Sequence, residues 1–171
     1  MNDKIEVRWM IRRDMGEILD IEKESFSSPW AEEDFIKYLK ERNVIGMVAE
    51  IGDGNDDQIV GYMVYSLYKD RLELKNFAVH PDFRRQGVGT KLAEKLKGKL
   101  STSRRTRVVT HVSEGNYRAQ KFFSSKGFRA TGVIKNHFST GEDAYAFQYE
   151  VKHPLEAPAN RISFSRGKSR G

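Results

Sequence analysis

The chain has 171 residues, a net charge of +6 and an apolar content of 38%, which fits one globular domain with a single sizeable core. It contains no cysteine, which excludes disulfides, thiolate zinc sites and a cysteine nucleophile. No stretch approaches the roughly 18 apolar residues of a membrane span, and the first residues lack the apolar run of a secretory signal. We therefore expect a cytoplasmic enzyme or binding module without a membrane partner.

The positive charge lies mainly at the C-terminus. Residues 152–171 hold five basic side chains and one acidic side chain, and so carry +4 of the net +6. The segment is rich in Pro, Ser, Gly and Arg and has no amphipathic period, which is typical of a flexible tail. Two interpretations stay open: a solvated tail, or weak contact with a polyanion such as ribosomal RNA. We place the end of the folded domain at residue 151.

The first half of the chain predicts a strand, two helices and a β-hairpin. Asp14 and Glu17 have the spacing of a capping box, and Ser28-Pro29 offers an N-cap serine followed by proline at the first helical position. The turn-forming run at 52–57 separates two long apolar strands. The predicted elements are a strand at 7–11, a helix at 14–26, a helix at 29–39, and strands at 44–51 and 59–68.

The second half alternates strands with helices. Apolar residues recur at helical spacing between Gly87 and Leu100, and Gly127 suits the left-handed C-cap of the next helix. The predicted elements are a strand at 72–79, a helix at 87–100, a strand at 108–112, a helix at 117–126, and strands at 128–134 and 144–151. This order predicts a mixed α/β domain with one central sheet.

A glycine-containing turn, RRQGVGT at residues 84–90, connects the strand at 72–79 to the following helix. We expect Gly87 and Gly89 to remove Cβ atoms that would keep a ligand from the backbone. The first helical amides and the helix dipole attract an anion, and Arg84 and Arg85 add positive charge. The expected ligand is a diphosphate. The turn matches neither the Walker motif nor the dinucleotide-binding fingerprint, and on these residues alone a turn without a ligand stays open.

Longer segments resemble a known superfamily. LELKNFAVHPDFRRQGVGTKLAEKL resembles the central motif of the GNAT acetyltransferases, and SEGNYRAQKFFSSKGF resembles their second motif. IEKESFSSPWAEEDF and the late GEDAY resemble the RimI-type branch, which acetylates protein N-termini. The resemblance spans about residues 7 to 151. It implies a GNAT fold, in which a mixed, mostly antiparallel sheet is splayed between its fourth and fifth strands and flanked by about four helices.

The resemblance also implies acetyl-CoA as the acetyl donor, and no metal ion. In the family the pantetheine arm lies between the splayed strands, so the main-chain N–H of Val79 would bind the thioester carbonyl and the developing oxyanion. Asn116 would bond to the pantetheine side, and Phe123 would pack against the cofactor. The other positions that the resemblance assigns to the cofactor are His80, Pro81, Arg84, Arg85, Gln86, Gly87, Val88, Gly89, Thr90, Lys91 and Leu92.

Two residues are candidates for the base that accepts the amine proton. His111 stands five residues before Asn116, where RimI-type enzymes keep a glutamate, and its ordinary pKa of about 6.5 suits a base at neutral pH. Glu73 matches the catalytic glutamate of many lysine-directed GNAT enzymes. Each has a structural alternative: an incidental strand histidine at 111, and pairing with Lys75 or Arg71 at 73. The two candidates could also share a water relay.

Two positions depart from the family pattern. Phe123 stands where a tyrosine usually serves as general acid, so the thiolate leaves unaided or a donor such as Tyr65 or Tyr117 replaces it. His137 and Phe138 stand where paired tyrosines often line the acceptor slot. The opposite wall of the slot is assigned to three residues that could instead pack between the first two helices, namely Phe26, Pro29 and Trp30.

The leading prediction is an acetyl-CoA-dependent N-acetyltransferase for the α-amine of a protein N-terminus, with a ribosomal protein as candidate acceptor. Three alternatives stay open. One is a GNAT enzyme for a small amine or a lysine side chain, which Glu73 and the missing paired tyrosines favour. Another is a weakly active or non-catalytic acetyl-CoA sensor, which Phe123 favours. The last is an RNA-binding protein, which rests on the basic tail alone.

Overall fold

The computed structural model describes residues 4–151. The predicted tail at 152–171 lies outside the described residues, so its flexibility and its polyanion contact stay predictions. The strands are β1 (Lys4–Trp9), β2 (Val44–Gly52), β3 (Gln58–Leu67), β4 (Arg71–Val79), β5 (Arg107–Ser113), β6 (Arg129–Ile134) and β7 (Ala144–Glu150). The helices are α1 (Met15–Ser25), α2 (Glu32–Leu39), α3 (Val88–Lys97) and α4 (Tyr117–Ser125).

The strands of residues 4–151 form one sheet in the order β1-β2-β3-β4-β5-β7-β6. Within it β4 and β5 are parallel, and the other neighbouring strands are antiparallel. The β4–β5 pairing begins at Arg71 and Arg107 and stops at Leu74 and Thr110, beyond which the two strands diverge. The mixed sheet, the splay and the flanking helices confirm the fold predicted from the sequence.

A β-bulge lies in β4 where the two strands begin to diverge. The pairing of β4 with β3 skips Lys75, which lies between Leu74 and Asn76. An extra residue shifts the alternation of side chains by one position. Leu74 and Phe77 consequently pack in the same core cluster although they are three residues apart. The bulge therefore decides which side chains of the second half of β4 face each layer of helices.

Helices cover both faces of the sheet. Leu92 and Leu96 of α3 and Phe123 of α4 belong to one buried cluster, while Ile21 of α1 and Phe35 of α2 belong to another. Burial of each such side chain stabilises the fold by about 1.5–3 kcal/mol. Because each layer of helices is anchored to the sheet, both layers contribute fixed side chains to the splay.

The start of α2 differs from the prediction. Ser28 and Pro29 lie in the loop after α1, and the helix begins at Glu32 with Ala31 as the N-cap. The Asp34 carboxylate accepts a hydrogen bond from Ala31 N at 2.8 Å, so an acid inside the first turn satisfies the N-cap amide. The predicted serine cap is therefore wrong.

The predicted capping box of α1 is also wrong. The Asp14 carboxylate accepts two hydrogen bonds from the Arg8 guanidinium, both at 2.9 Å, and one from Ile11 N at 2.8 Å. Glu17 accepts a hydrogen bond from Ile59 N of β3 at 3.0 Å. Both acids therefore attach α1 and its preceding turn to the sheet.

Candidate functional site

A cleft of about 200 Å³ opens where β4 and β5 diverge. Thr110 marks its closed end, because its hydroxyl donates a hydrogen bond to Leu74 O at 3.1 Å across the last paired residues. The cleft brings together six residues that the sequence predicted for the site, namely Phe26, Trp30, His111, Asn116, Phe123 and Phe138. Four groups of predicted residues do not line it, namely Pro29, Glu73, His137 and the stretch 79–92.

The main-chain N–H of Val79 points to the open side of β4. His80 N donates to Val60 O of β3 at 2.8 Å, and amide directions alternate along a strand, so the N–H of Val79 faces away from β3. Phe77 N lies on the same edge as Val79 N, and it donates to the Asn76 side chain at 2.9 Å. Because β5 has left this edge, the Val79 amide is directed toward the gap between the strands.

The turn at 84–90 has the backbone of an anion cradle. Arg85 has a φ of 63° and Gly87 a φ of 87°, and α3 begins at the next residue. The first hydrogen bond into the helix backbone runs from Lys91 N to Gly87 O at 3.0 Å. The amides of Val88, Gly89 and Thr90 come before it and have no intrahelical acceptor, so they suit an anion at the helix N-terminus.

The two glycines of this turn have different structural reasons. A Cβ on Gly87 would meet no heavy atom within 4 Å, so the positive φ is what favours glycine there. A Cβ on Gly89 would lie 2.9 Å from Cε1 of Phe122. The expectation that Gly89 clears space for a ligand is therefore corrected: its missing side chain lets α3 approach α4.

Near the cradle, the charge of Arg118 influences Arg84. Arg84 donates from Nε to Val79 O at 3.3 Å. Burial and the positive charge of Arg118 hold the pKa of Arg84 below its usual value. A bound anion near Arg84 would stabilise its positive charge and offset both effects. Arg118, in the first turn of α4, was not among the predicted site residues, and its place two residues after Asn116 was the available signal.

His111 lies on β5 just beyond Thr110, where β5 no longer pairs with β4. Its ring centroid is 4.9 Å from that of His137, and the two ring planes are inclined by 54°. Burial lowers the pKa of His111 below 6.5, His137 and Lys75 lower it further, and Glu73 opposes them. At neutral pH the imidazole is therefore uncharged and able to accept a proton.

Glu73 lies in a clamp of two cations. Its carboxylate accepts hydrogen bonds from Arg71 Nε and Lys75 Nζ, each at 2.8 Å. Burial would raise the pKa of Glu73, but the hydrogen bonds from Lys75 and Arg71 outweigh it and hold that pKa below its usual value. The structural alternative predicted for Glu73 is thus the arrangement found, and a carboxylate held in this way is a weak base.

Asn116 and Phe123 occupy the two ends of α4. The Asn116 side chain caps the helix, because its Oδ1 accepts a hydrogen bond from Ala119 N at 3.1 Å. Its Nδ2 amide is thus the group oriented for a ligand. Phe123 packs edge-on against Phe77 and Phe128, with ring centroids 5.6 and 5.0 Å apart. A phenyl ring in this position cannot donate a proton.

Trp30 combines the two roles that the sequence left open. Its ring lines the cleft, and it also stacks on Tyr38 with a centroid distance of 4.8 Å and an interplanar angle of 9°. Phe35 packs against its edge at 5.0 Å. Packing against α2 therefore fixes a ring that lines the cleft.

Glu22 is a cleft residue that the sequence interpretation missed. Its side chain is 1% exposed, and its carboxylate accepts hydrogen bonds from the Tyr62 hydroxyl, from Asn76 Nδ2 at 2.8 Å and from Trp30 N at 2.8 Å. A buried carboxylate needs such partners to offset its desolvation. The available signal was a glutamate next to Ile21 on the apolar face of α1.

Two further structural facts bear on the site. Across residues 4–151, no group of three or more His, Cys, Asp or Glu side chains is placed to hold a metal ion. None of the helices in that range is long and apolar enough to cross a membrane.

Comparisons with known proteins agree with this geometry. The sequence profile of the Acetyltransferase (GNAT) family matches residues 15–128. A putative ribosomal protein bS18-alanine N-acetyltransferase of Bacillus subtilis is 28% identical over 145 residues, which are 84% of this chain and 94% of that protein. The ribosomal protein bS18-alanine N-acetyltransferase of Salmonella typhimurium is 28% identical over 130 residues, 75% of this chain and 84% of that protein.

Solved structures show the same fold at lower identity. The ribosomal-protein-S18-alanine N-acetyltransferase from Escherichia coli superposes with a TM-score of 0.73 at 22% identity, covering 88% of this chain and 96% of that one. Ard1 from Thermoplasma volcanium superposes with a TM-score of 0.77 at 23% identity, covering 87% and 99%. Because the family profile spans well over half of the chain, the protein belongs to the GNAT acetyltransferase family and is an N-acetyltransferase.

Proposed function

We propose that this protein transfers the acetyl group of acetyl-CoA to the α-amine of a protein N-terminus. The observation that carries the proposal is the position of His111, an uncharged base on the wall of the cleft between β4 and β5. Two bacterial relatives are named as N-acetyltransferases for the alanine of ribosomal protein bS18. These names support a ribosomal protein as acceptor. Such an acceptor is available in the cytoplasm.

The described residues fit acetyl-CoA, which supplies an activated acetyl group when it binds. The open amides of residues 88–90 and the charges of Arg84 and Arg85 suit its diphosphate. The Val79 N–H, directed into the gap between the strands, suits the thioester oxygen and its developing negative charge. Asn116 Nδ2 remains for the pantetheine amides. The proposed acetyl-CoA would extend from the cradle into the cleft.

His111 performs the proton step on the acceptor side. An α-amine, with an ordinary pKa of about 7.7–8.0, is largely protonated at neutral pH and must lose a proton before it attacks the thioester. His111 accepts that proton. On the leaving side Phe123 offers no acid, and a thiol pKa of about 8.5 makes the thiolate a tolerable leaving group. We therefore expect turnover without a dedicated acid.

The acceptor slot is shaped for a small apolar first residue. Phe26, Trp30 and Phe138 line the cleft, and Glu22 holds the Trp30 backbone in place. Glu73, which favoured a lysine-directed or small-amine enzyme, is held by Arg71 and Lys75 and does not line the cleft. We therefore propose no second function.

The test is the release of free CoA from acetyl-CoA with matched acceptors. One set contains peptides that begin with Ala, Ser or Met; a second set has the same peptides with a blocked α-amine and an internal lysine; the third is a polyamine. We expect turnover with free α-amines only. Turnover confined to the blocked peptides or the polyamine would overturn the proposal.

His111→Ala tests the base in the same assay. We expect turnover to fall by about 10²-fold or more, as is usual when a general base is removed, while the affinity for acetyl-CoA stays the same. Ser124→Ala, at an exposed position on α4, is the control variant. Wild-type turnover in His111→Ala would assign the proton step to another group.

A further inference from the structure

The exposed ring of His137 lies beside His111, the proposed general base in the cleft. His111 lines the cleft, whereas His137 does not; it is exposed, in the loop between β6 and β7. The ring centroids are 4.9 Å apart and the planes are inclined by 54°. At this separation the two rings are in van der Waals contact. Two imidazoles thus connect the interior of the cleft with bulk water.

We propose that His137 relays the proton that His111 takes from the acceptor amine, a step that rests on the proposed role of His111 as base. An imidazole has two ring nitrogens and can accept a proton at one while it releases a proton from the other. His111 accepts the amine proton and passes a proton to His137, which releases it to solvent. Both rings end neutral but in the opposite tautomer, and proton exchange with water restores the starting tautomers before the next turnover.

The other charged groups around His111 are already engaged. They are Glu73 and Lys75 of β4, Glu22 of α1 and Glu142 of the loop before β7. Glu73 is paired with two cations, and Glu22 accepts three hydrogen bonds. Lys75 is a cation that pairs with Glu73, and Glu142 Oε1 accepts a hydrogen bond from the Thr140 hydroxyl at 3.2 Å. Across β7 the neighbour of His111 is Ala146, so the imidazole of His137 is the proton acceptor in ring contact.

The loop that carries His137 is held in place. Asn136 has a φ of 51°, and its amide donates to Asp143 Oδ1 at 2.9 Å. Lys135 pairs with the same carboxylate at 3.2 Å. The ring of Phe138 packs against His137 with a centroid distance of 4.8 Å and an interplanar angle of 86°. These contacts hold the second imidazole beside the first.

His137 also influences the charge of His111. Positive charge on the His137 ring disfavours a proton on His111. Together with burial, this repulsion contributes to the lowered pKa of His111. Removal of His137 therefore raises the pKa of His111, and the acidic limb of the pH profile moves to higher pH. A ring that only lined the acceptor slot would not produce this displacement.

The experiment compares wild type with His137→Phe, which keeps an aromatic ring against Phe138 and removes both nitrogens. Turnover of a saturating N-terminal peptide is measured from pH 5.5 to 9 in a dilute buffer without imidazole. We expect kcat to fall by about ten-fold, less than the loss of a direct acid–base group, and the acidic limb to move to higher pH. Added free imidazole should restore kcat.

Further variants keep the outcomes distinct. Phe26→Leu alters another aromatic side chain that lines the cleft and should raise the peptide KM without moving the limb. His137→Gln repeats the test with a polar replacement that does not titrate. If His137→Phe keeps the wild-type kcat, with or without a displaced limb, or raises only the peptide KM, the relay is wrong. If His111→Ala itself keeps full turnover, the proposed role of His111 as base is wrong. This outcome is measured on a different variant, so it is distinguished from a failure of the relay alone.

Discussion

The contact of Glu22 with the loop before α2 makes a quantitative prediction about the acceptor wall. Its buried carboxylate accepts hydrogen bonds from Trp30 N, Asn76 Nδ2 and the Tyr62 hydroxyl. Glu22→Ala removes the acceptor of all three donors. Each buried donor left unsatisfied costs about 1–3 kcal/mol, and readmitted water offsets part of that cost. We expect the free energy of unfolding to fall by about 3–5 kcal/mol, a large part of the usual 5–15 kcal/mol of a domain.

Glu22→Gln separates stability from function. The amide oxygen of glutamine can face Asn76 and Tyr62, while its NH₂ group meets Trp30 N–H, which is also a donor. One hydrogen bond is then lost, and the expected cost is about 1–3 kcal/mol. Because Trp30 lines the cleft, the peptide KM should rise while the affinity for acetyl-CoA stays at its wild-type value.

Urea denaturation followed by far-UV circular dichroism measures the stability of the Glu22 variants, and CoA release measures their kinetics. Glu24→Gln, at an exposed position on the same helix, is the matched control and should stay within about 0.5 kcal/mol of wild type. Equal stability of the alanine and glutamine variants, or a wild-type KM in Glu22→Gln, would show that the hydrogen bond to Trp30 N does not hold the wall.

The succession of strands and helices along the chain followed from local signals. The turn-forming run at 52–57 and the apolar strands around it identify a hairpin without tertiary information, and β2 and β3 pair as such. The start of α2 could not be predicted from local signals. Ser28-Pro29 and Asp34 are competing cap signals in one short segment, and spacing does not separate them. The fold uses Asp34, which leaves the earlier residues in the loop that reaches the cleft.

The candidate site was predictable where its residues belong to one motif. The cradle and His111 occur in short segments with a fixed spacing. The clamp around Glu73 was also within reach, because Arg71 and Lys75 stand two residues away on the same strand. The bond between Glu22 and Asn76 joins residues 54 positions apart, and the proximity of His111 to His137 depends on a loop conformation. Such through-space partners leave no periodic signal in the sequence.

Two further predictions concern the cradle and the base. Gly89→Ala places a Cβ 2.9 Å from the Phe122 ring, so the free energy of unfolding in urea should fall by about 1–3 kcal/mol, and Phe122→Leu should recover part of it; a fully stable single variant would contradict the packing role of Gly89. The second is the pH dependence of kcat at saturating peptide, which reports groups of the bound complex. Burial and His137 lower the pKa of His111 from 6.5, so the base stays neutral at pH 7 and becomes protonated only below pH 6.5. Activity should therefore fall on acidification in a limb centred below pH 6.5, and that limb should vanish in His111→Ala. A limb centred nearer pH 7.7–8.0 would match the pKa of the peptide α-amine. If the acidic limb remained in His111→Ala, the proton would leave the amine by another route.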